Sequence, residues 1–262
     1  MCYDSKARPP LPPISGGADR AEGQEVELVA ADGTRFAAYT AVAAAPGGPG
    51  IVILPDVRGL HPFYQELAER FAAAGVNATA FDYFGRTAGV GSGEARGDDF
   101  DYMSHVERTT PDGIAQDVAA TVTHVRSPGG GESSAVFTVG FCFGGRNSFN
   151  QAARGHGLAG VIGFYGRVAQ RDRQDMNAPV LLAPGFECPV LGLFGGADEG
   201  ITKEHIEAFR RVLDGLGVAN ELVTYEGAPH SFFDRAFDQY RDACDDAWRR
   251  ILAFIERLGG ER

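Results

Sequence analysis

Short apolar runs alternate along the chain with longer segments in which apolar residues recur every three or four positions. The first such run, "GIVILP" (50–55), is typical of a strand buried on both faces of a parallel sheet. Further predicted strands follow at 76–82, 135–141, 158–166, 189–195 and 219–227. Helical periodicity falls at 61–75, 111–126, 143–155, 203–217 and 235–258. This alternation predicts an α/β fold with a mostly parallel central sheet and helices on both faces.

The residues before the first run follow a different pattern. "EVELVA" (25–30) and "TRFAAYTAV" (34–42) flank the turn sequence "ADG", which predicts an N-terminal antiparallel hairpin. Residues 1–24 are rich in proline and glycine and are predicted to form an irregular arm. The segment 87–110 is glycine-rich and charged without a sustained period, which is typical of a functional or mobile connection. No other boundary is evident, so we predict a single domain over residues 25–262.

The composition and the net charge of the chain argue against some classes of binding partner. The 262 residues are 44% hydrophobic and carry a formal net charge of −11, which argues against a nucleic acid or an anionic membrane surface as partner. An anionic substrate would need a local cluster of arginines. We find no membrane span and no secretory signal in the sequence. The four cysteines lie far apart without CxxC spacing, which favours a reducing, cytoplasmic location.

One of these cysteines lies in a motif that indicates a nucleophile. In "VGFCFGG", Gly140 and Gly144 flank Cys142 at the spacing of a nucleophile elbow, G-x-Nuc-x-G, between a predicted strand and a predicted helix. Small residues at these two positions let the strand and the helix approach closely while the nucleophile takes a strained conformation. The helix N-terminus also favours the thiolate. The alternative is a packing cysteine beside a tight turn.

Two further residues favour the catalytic interpretation. Asp198, in "GGADEGI", and His230, in "GAPHSFF", each follow a predicted strand. Nucleophile, acid and histidine in this order at strand ends are typical of the α/β-hydrolase fold. We therefore predict that His230 accepts the proton of Cys142, or pairs with it as imidazolium and thiolate, and that Asp198 fixes the tautomer and orientation of the ring. The backbone N–H groups of Phe143 and Val57 are the predicted donors of an oxyanion hole.

The motifs "PDVRGLHPFYQELAERFAAAG", "FDYFGR", "GFCFGG", "GGADEGI" and "GAPHSFF", in this order, resemble the dienelactone hydrolase (carboxymethylenebutenolidase) family. The likeness runs from about residue 25 to the C-terminus. It implies hydrolysis of an enol-lactone ester by a Cys-His-Asp triad without a metal or an organic cofactor. In that family, a glutamate in the loop after the first apolar strand contacts the resting cysteine and helps to generate the thiolate when substrate binds. Here Asp56 takes that position with a side chain one methylene shorter; in the alternative interpretation it only shapes the loop.

The resemblance also implies two arginines that hold a substrate carboxylate. Arg86 in "FDYFGR" matches one of them, and Arg235 lies one position away from the expected place of the other. Arg58 is a further candidate for an anion contact. The segment 87–110 has no counterpart in the family and is expected to line the rim of the pocket.

The predicted function is hydrolysis of small, carboxylate-bearing esters or enol-lactones by a monomer or small homo-oligomer. An alternative keeps the triad but turns over generic esters or thioesters, or transfers the acyl group to another acceptor. A third possibility is a non-catalytic, thiol-bearing ligand binder or redox sensor. The six histidines are scattered without metal-ligand spacing, so no metal site is predicted.

Overall fold

The computed structural model describes residues 7–12, 21–45, 47–92, 96 and 99–260. Their strands are β1 Gly23–Val29, β2 Arg35–Ala41, β3 Gly50–Leu54, β4 Asn77–Phe81, β5 Val136–Phe141, β6 Gly160–Phe164, β7 Val190–Gly195 and β8 Asn220–Tyr225. Their α-helices are α1 Pro62–Ala73, α2 Gly85–Ala88, α3 Tyr102–Glu107, α4 Pro111–Val125, α5 Phe143–Gln151, α6 Pro179–Leu182, α7 Lys203–Leu216 and α8 Arg241–Gly259. Two 3-10 turns lie at Pro128–Gly130 and Ala183–Gly185.

These residues divide into two compact units. The first, called here the N-terminal unit, comprises the described residues from 21 to 136. The second, the C-terminal unit, comprises residues 7–12 and 137–260. The single domain predicted over residues 25–262 stays a prediction.

The N-terminal unit contains the predicted hairpin. Strands β1 and β2 pair antiparallel, β2 pairs antiparallel with β4, and β4 pairs parallel with β3. Strands β3 and β4 are buried along their whole length, including the polar residues Asn77 and Thr79 of β4. Helix α1 begins at Pro62, where a missing N–H costs nothing, and His61 caps it by accepting from the Phe63 N–H. The chain leaves this helix through Gly75, with a φ of +87°.

The C-terminal unit is a run of parallel strands. Its strands pair in chain order, β5 with β6, β6 with β7 and β7 with β8. The carboxyl ends of such strands lie at one edge of the sheet, so the loops that follow them are neighbours there. Aromatic rings pack beneath this edge, among them Phe141 and Phe164, which stack with their centroids 4.8 Å apart. Together the two units confirm the predicted α/β class, with mostly parallel strands and an antiparallel hairpin at the N-terminus.

Two predicted segments differ from the structure. The last helix begins at Arg241 rather than at 235, because residues 231–240 form a series of turns that starts at Ser231, with a φ of +60°. Phe232 and Phe233 are buried in these turns. The segment 87–110 also contains the short helix α3, which Asp101 caps through its side chain.

The described part of the N-terminal arm packs against the last helix. Pro9 and Pro10 are buried, and the indole Nε1–H of Trp248 donates to the Pro10 carbonyl at 3.1 Å. Residues 1–6 and 13–20 of the predicted arm lie outside the described residues. Within the described part of the chain, no helix combines the length and the apolar character needed to cross a bilayer.

Candidate active site

Cys142 occupies a strained turn between β5 and α5. Its φ of +55° and ψ of −111° are unusual for a residue with a side chain. The Cys142 N–H donates to the Phe164 carbonyl at 3.1 Å, which ties the turn to the end of β6. A Cβ built on Gly140 would lie 2.0 Å from the Gly144 carbonyl oxygen, so the strand and the helix touch where the elbow motif predicts. The thiol residue is partly exposed.

Helix α5 begins at Phe143, directly after the cysteine. The first turn of a helix carries partial positive charge, which stabilises a negative charge placed beside it. The predicted oxyanion donor, the Phe143 N–H, belongs to this turn. Gly145 continues the close contact, because a Cβ there would lie 2.4 Å from the Phe164 carbonyl oxygen.

Asp198 and His230 meet although 32 residues separate them in the chain. His230 Nδ1 lies 2.6 Å from Asp198 Oδ2, and the Gly200 N–H donates to Asp198 Oδ1 at 2.9 Å. The Asp198 side chain is 5% exposed and that of His230 is 23% exposed. An ionised carboxylate only accepts hydrogen bonds, so Nδ1 carries a proton and the neutral ring has its lone pair on Nε2. The carboxylate therefore holds the imidazole in one orientation, and the role of His230 as a general base stays a prediction.

The loops that carry this pair are joined through their backbones. The Ala197 N–H donates to the Ala228 carbonyl at 2.9 Å, and the Gly196 N–H donates to the Tyr225 carbonyl at 2.8 Å. A Cβ on Gly195 would lie 2.5 Å from the Ala228 carbonyl oxygen. The end of β7 can therefore approach the loop after β8 this closely only with a glycine at position 195.

Tyr165 is a site residue that sequence reasoning missed. It follows β6 with a φ of +37°, is 2% exposed, and places its ring centroid 4.9 Å from that of His230. Its only signal in the sequence was its position at the end of a predicted strand. Tyr165 forms one wall of the imidazole site and restricts the orientation of the ring.

The three predicted triad residues thus lie in the C-terminal unit, each after the carboxyl end of a parallel strand. Cys142 follows β5, Asp198 follows β7 and His230 follows β8. The structure brings Asp198 and His230 into contact; the transfer of a proton from Cys142 to His230 stays a prediction.

Asp56 and Val57 lie in the N-terminal unit, in the loop after β3. The Asp56 carboxylate is buried and paired with Arg58, whose Nη2 and Nε donate to Oδ2 at 2.8 Å and 3.1 Å. The Arg58 guanidinium also lies 5.6 Å from the ring centroids of Phe63 and Tyr64. Arg58 therefore neutralises Asp56 within its own loop. The predicted roles of Asp56 at the thiol and of the Val57 N–H as an oxyanion donor stay predictions.

Arg86 is held by acidic side chains in the N-terminal unit. Its Nη2 and Nε donate to the buried Asp117 at 2.8 Å and 3.1 Å, and its Nη1 pairs with Asp32. The hydrogen bond from Arg86 is the main cause that lowers the pKa of Asp32 to about 2. The guanidinium of Arg86 is thus already paired with two carboxylates of the protein, and a substrate carboxylate would have to compete with them. Arg235 is exposed in the turns after His230, and its predicted contact with the substrate stays a prediction.

The other two described thiols differ from the candidate nucleophile. Cys188 and Cys244 are buried, and burial is the main cause that raises the pKa of each thiol to about 12. Neither can supply a thiolate near neutral pH. Among the described residues, no group of three or more histidine, cysteine, aspartate or glutamate side chains is placed to hold a metal ion.

Comparison with known proteins agrees with this arrangement. The model of the "Dienelactone hydrolase family" matches residues 36–259. A protein of Salmonella typhimurium (strain LT2) named "Putative carboxymethylenebutenolidase" is 28% identical over 98% of this chain and 95% of its own length. The "Carboxymethylenebutenolidase" of Rhodococcus opacus is 26% identical over 98% of this chain and 97% of its own length.

Among solved structures, a "Putative Dienelactone Hydrolase" from Klebsiella pneumoniae superposes with a TM-score of 0.74 at 25% identity. The superposition covers 90% of this chain and 99% of that one. The chain belongs to the dienelactone hydrolase family: it has the α/β-hydrolase fold and is a hydrolase that acts on ester or lactone bonds.

Proposed function

We propose that the chain hydrolyses small esters or enol-lactones by covalent catalysis at Cys142, with His230 as general base and acid and Asp198 as the group that orients it. The contact of 2.6 Å between Asp198 Oδ2 and His230 Nδ1 is the observation that carries this proposal. A ligand binder or a redox sensor would need a thiol but not a buried carboxylate that orients an imidazole, so the pair favours catalysis.

The reaction proceeds in two halves. The sulfur of Cys142 attacks the carbonyl carbon while its proton passes to Nε2 of His230, and the oxyanion forms at the N-terminus of α5. The tetrahedral intermediate collapses as His230 protonates the leaving oxygen, which leaves a thioester on Cys142. Water then attacks the thioester with His230 as base, and the acid and the free thiol are released.

The names of the relatives suggest the class of substrate. Two of them carry the name carboxymethylenebutenolidase, and a further relative from Bradyrhizobium, 26% identical, is named "Probable 2-oxo-3-(5-oxofuran-2-ylidene)propanoate lactonase". Each of these three names describes an unsaturated lactone and includes a carboxyl group in addition to the lactone ester. We therefore extend the proposal to small lactones that carry an acidic group.

A matched pair of cysteine variants tests the proposal. Hydrolysis of 4-nitrophenyl acetate and of a dienelactone is followed for the wild type, Cys142→Ala and Cys188→Ala, with and without prior treatment with iodoacetamide. We expect Cys142→Ala and the alkylated wild type to be inert and Cys188→Ala to remain active. A Cys142→Ala variant that keeps the wild-type rate would disprove the role of the thiol. A higher kcat/KM for the lactone than for the simple ester would distinguish a lactonase from a generic esterase.

A further inference from the structure

Two buried prolines lie in the described part of the N-terminal arm, residues 7–12. Pro9 and Pro10 are buried, whereas Arg8 and Leu11 on either side of them are exposed. This stretch has no helix or strand of its own, so contacts with the rest of the C-terminal unit must hold it in place. A proline ring already fixes φ, so the stretch loses little conformational entropy when it packs there. The sequence of the arm therefore suits it to docking.

The arm docks on helix α8 at Trp248. The indole of Trp248 is buried, and its Nε1–H donates to the Pro10 carbonyl at 3.1 Å across 238 residues of chain. Aromatic side chains are the usual docking surface for proline-rich segments, and a buried indole N–H needs an acceptor. Pro10 supplies an acceptor from outside the helix, so a specific contact binds the arm to α8.

The same tryptophan contacts the segment that follows the catalytic histidine. The ring centroids of Trp248 and Phe233 are 5.8 Å apart, and Phe233 lies three residues after His230. The Phe233 ring is also 4.5 Å from that of Phe164 and 6.0 Å from that of Phe141, again between centroids. These two phenylalanines are the last residues of β6 and β5. Phe233 therefore connects the ring that holds the arm to the carboxyl edge of the sheet, where the site lies.

The turn at His230 depends on packing of this kind. Ser231, directly after the histidine, has a φ of +60°, and residues 231–240 form turns rather than a helix or a strand. A residue with a side chain keeps a left-handed conformation only where its surroundings hold it. Those surroundings include the buried ring of Phe233, two residues further along. The contact of Trp248 with this ring therefore affects the position of His230.

We propose that the two buried prolines of the arm are positioning residues for His230. They hold Trp248 against Phe233, and Phe233 stabilises the turn that places the imidazole beside Asp198. The inference rests on the proposed function, because it assigns to the arm a part in the geometry of that site. The prolines act through the two rings rather than on the reacting atoms, and a displacement of about 1 Å at a catalytic group lowers the rate by up to about a hundredfold.

Two variants of the full chain disturb the docked arm in different ways. The double variant Pro9→Gly/Pro10→Gly keeps the backbone carbonyl but removes both rings and their restraint on φ. Trp248→Phe keeps an aromatic ring and removes the N–H that binds the carbonyl. We call these two the arm variants. Hydrolysis of 4-nitrophenyl acetate gives kcat and KM for each, and unfolding in urea gives its stability.

Each arm variant has a matched control. Leu11→Ala changes the same arm at a side chain that is 65% exposed. Phe254→Leu changes the same helix at a buried ring, which lies 6.0 Å from the Phe137 ring, between centroids, and 2.6 Å from the position of a Cβ on Gly160. Phe137 and Gly160 lie at the amino ends of β5 and β6, at the opposite edge of the sheet from His230. Phe254→Leu therefore weakens the packing of α8 away from the catalytic edge.

We expect both arm variants to lower kcat by about ten- to a hundredfold, because both halves of the reaction need His230 in place. KM should change by less than about twofold, since the arm does not bind the substrate. Leu11→Ala and Phe254→Leu should keep kcat within about twofold of the wild type, although Phe254→Leu should lower the urea midpoint. Wild-type kcat in both arm variants, or an equal loss of kcat in Phe254→Leu, would overturn the inference.

Hydrogen–deuterium exchange, followed by peptide mass spectrometry, keeps this result separate from the proposed function. Peptides from residues 229–240 should exchange about tenfold faster in the arm variants than in the wild type, because loss of a buried contact eases local opening. Phe254→Leu should not have this local effect. Unchanged exchange of 229–240 in both arm variants contradicts the inference whatever the enzyme turns over. Absence of ester hydrolysis by a wild type whose 229–240 segment responds to the arm variants contradicts the proposed function alone.

Discussion

Replacement of Asp198 by asparagine removes one negative charge and turns one of the two acceptor oxygens into an NH2 donor. The two carboxylate oxygens have different partners: Oδ1 accepts from the Gly200 N–H at 2.9 Å, and Oδ2 faces His230 Nδ1 at 2.6 Å. An asparagine must keep its oxygen toward the Gly200 N–H, because a donor placed there would leave two buried donors facing each other, at a cost of about 1–3 kcal/mol. Its amide NH2 then points at the histidine.

This orientation forces the wrong tautomer of His230. Facing an amide donor, Nδ1 must act as an acceptor, so the proton moves to Nε2, which is then unable to accept the proton of Cys142. Loss of the correct tautomer at such a triad lowers kcat by about 10⁴-fold, which is about 5.5 kcal/mol in the activation free energy. We therefore expect Asp198→Asn to retain about one part in 10⁴ of the wild-type kcat.

The assay is stopped-flow or steady-state hydrolysis of 4-nitrophenyl acetate at pH 7.5, with unfolding in urea as a check on stability. Glu199→Gln is the matched control, since this adjacent acid is exposed and removes the same charge, and it should change kcat by less than about twofold. A value of kcat for Asp198→Asn within tenfold of the wild type would refute the assignment of Asp198 as the residue that orients the base.

Three further predictions concern the surroundings of the site. Gly195→Ala should lower kcat by at least about tenfold, because a 1 Å displacement at a catalytic group costs up to about a hundredfold in rate. Gly215→Ala is the control and should leave kcat unchanged, since a Cβ at that position has nothing within 4 Å. Equal rates for the two variants would contradict the close contact between Gly195 and the Ala228 carbonyl. Iodoacetamide at pH 8 should leave Cys188 and Cys244 unlabelled, since a pKa of about 12 leaves about one thiol in 10⁴ ionised at that pH. Peptide mass spectra that show extensive alkylation of these two thiols would contradict their burial. Trp248→Phe should lower the free energy of unfolding by about 1–3 kcal/mol through the lost hydrogen bond to the N-terminal arm, and an unchanged urea midpoint would show that the arm adds nothing to stability.

The features that the sequence predicted correctly are those indicated by a short motif or by the order of the strands. The turn at Cys142 was predictable because glycines at 140 and 144 have one clear steric purpose, and the structure has the predicted contact between them. The meeting of Asp198 and His230 followed from the topology, since the ends of parallel strands share one edge of a sheet.

The features that the sequence did not predict depend on contacts between distant residues. Arg86 was predicted to hold a substrate carboxylate, and its pairing with Asp32, 54 residues away, and with Asp117, 31 residues away, was not foreseen. The pairing of Arg146 with Asp175 was not foreseen either, because 29 residues and a loop without helical or strand periodicity separate them. Loop packing determines side-chain pairings of this kind, and neither the hydrophobic periodicity nor the motif spacing of the sequence predicts them.

The central claim is that the acyl group passes through Cys142, and trapping that intermediate tests it most directly. The enzyme is mixed with excess 4-nitrophenyl ester and quenched in acid within milliseconds, and its peptides are analysed by mass spectrometry. We predict an added acyl mass on the peptide that contains Cys142 and on no other cysteine peptide. Rapid turnover with no acyl mass on that peptide at any quench time, together with an active Cys142→Ala variant, would contradict the mechanism.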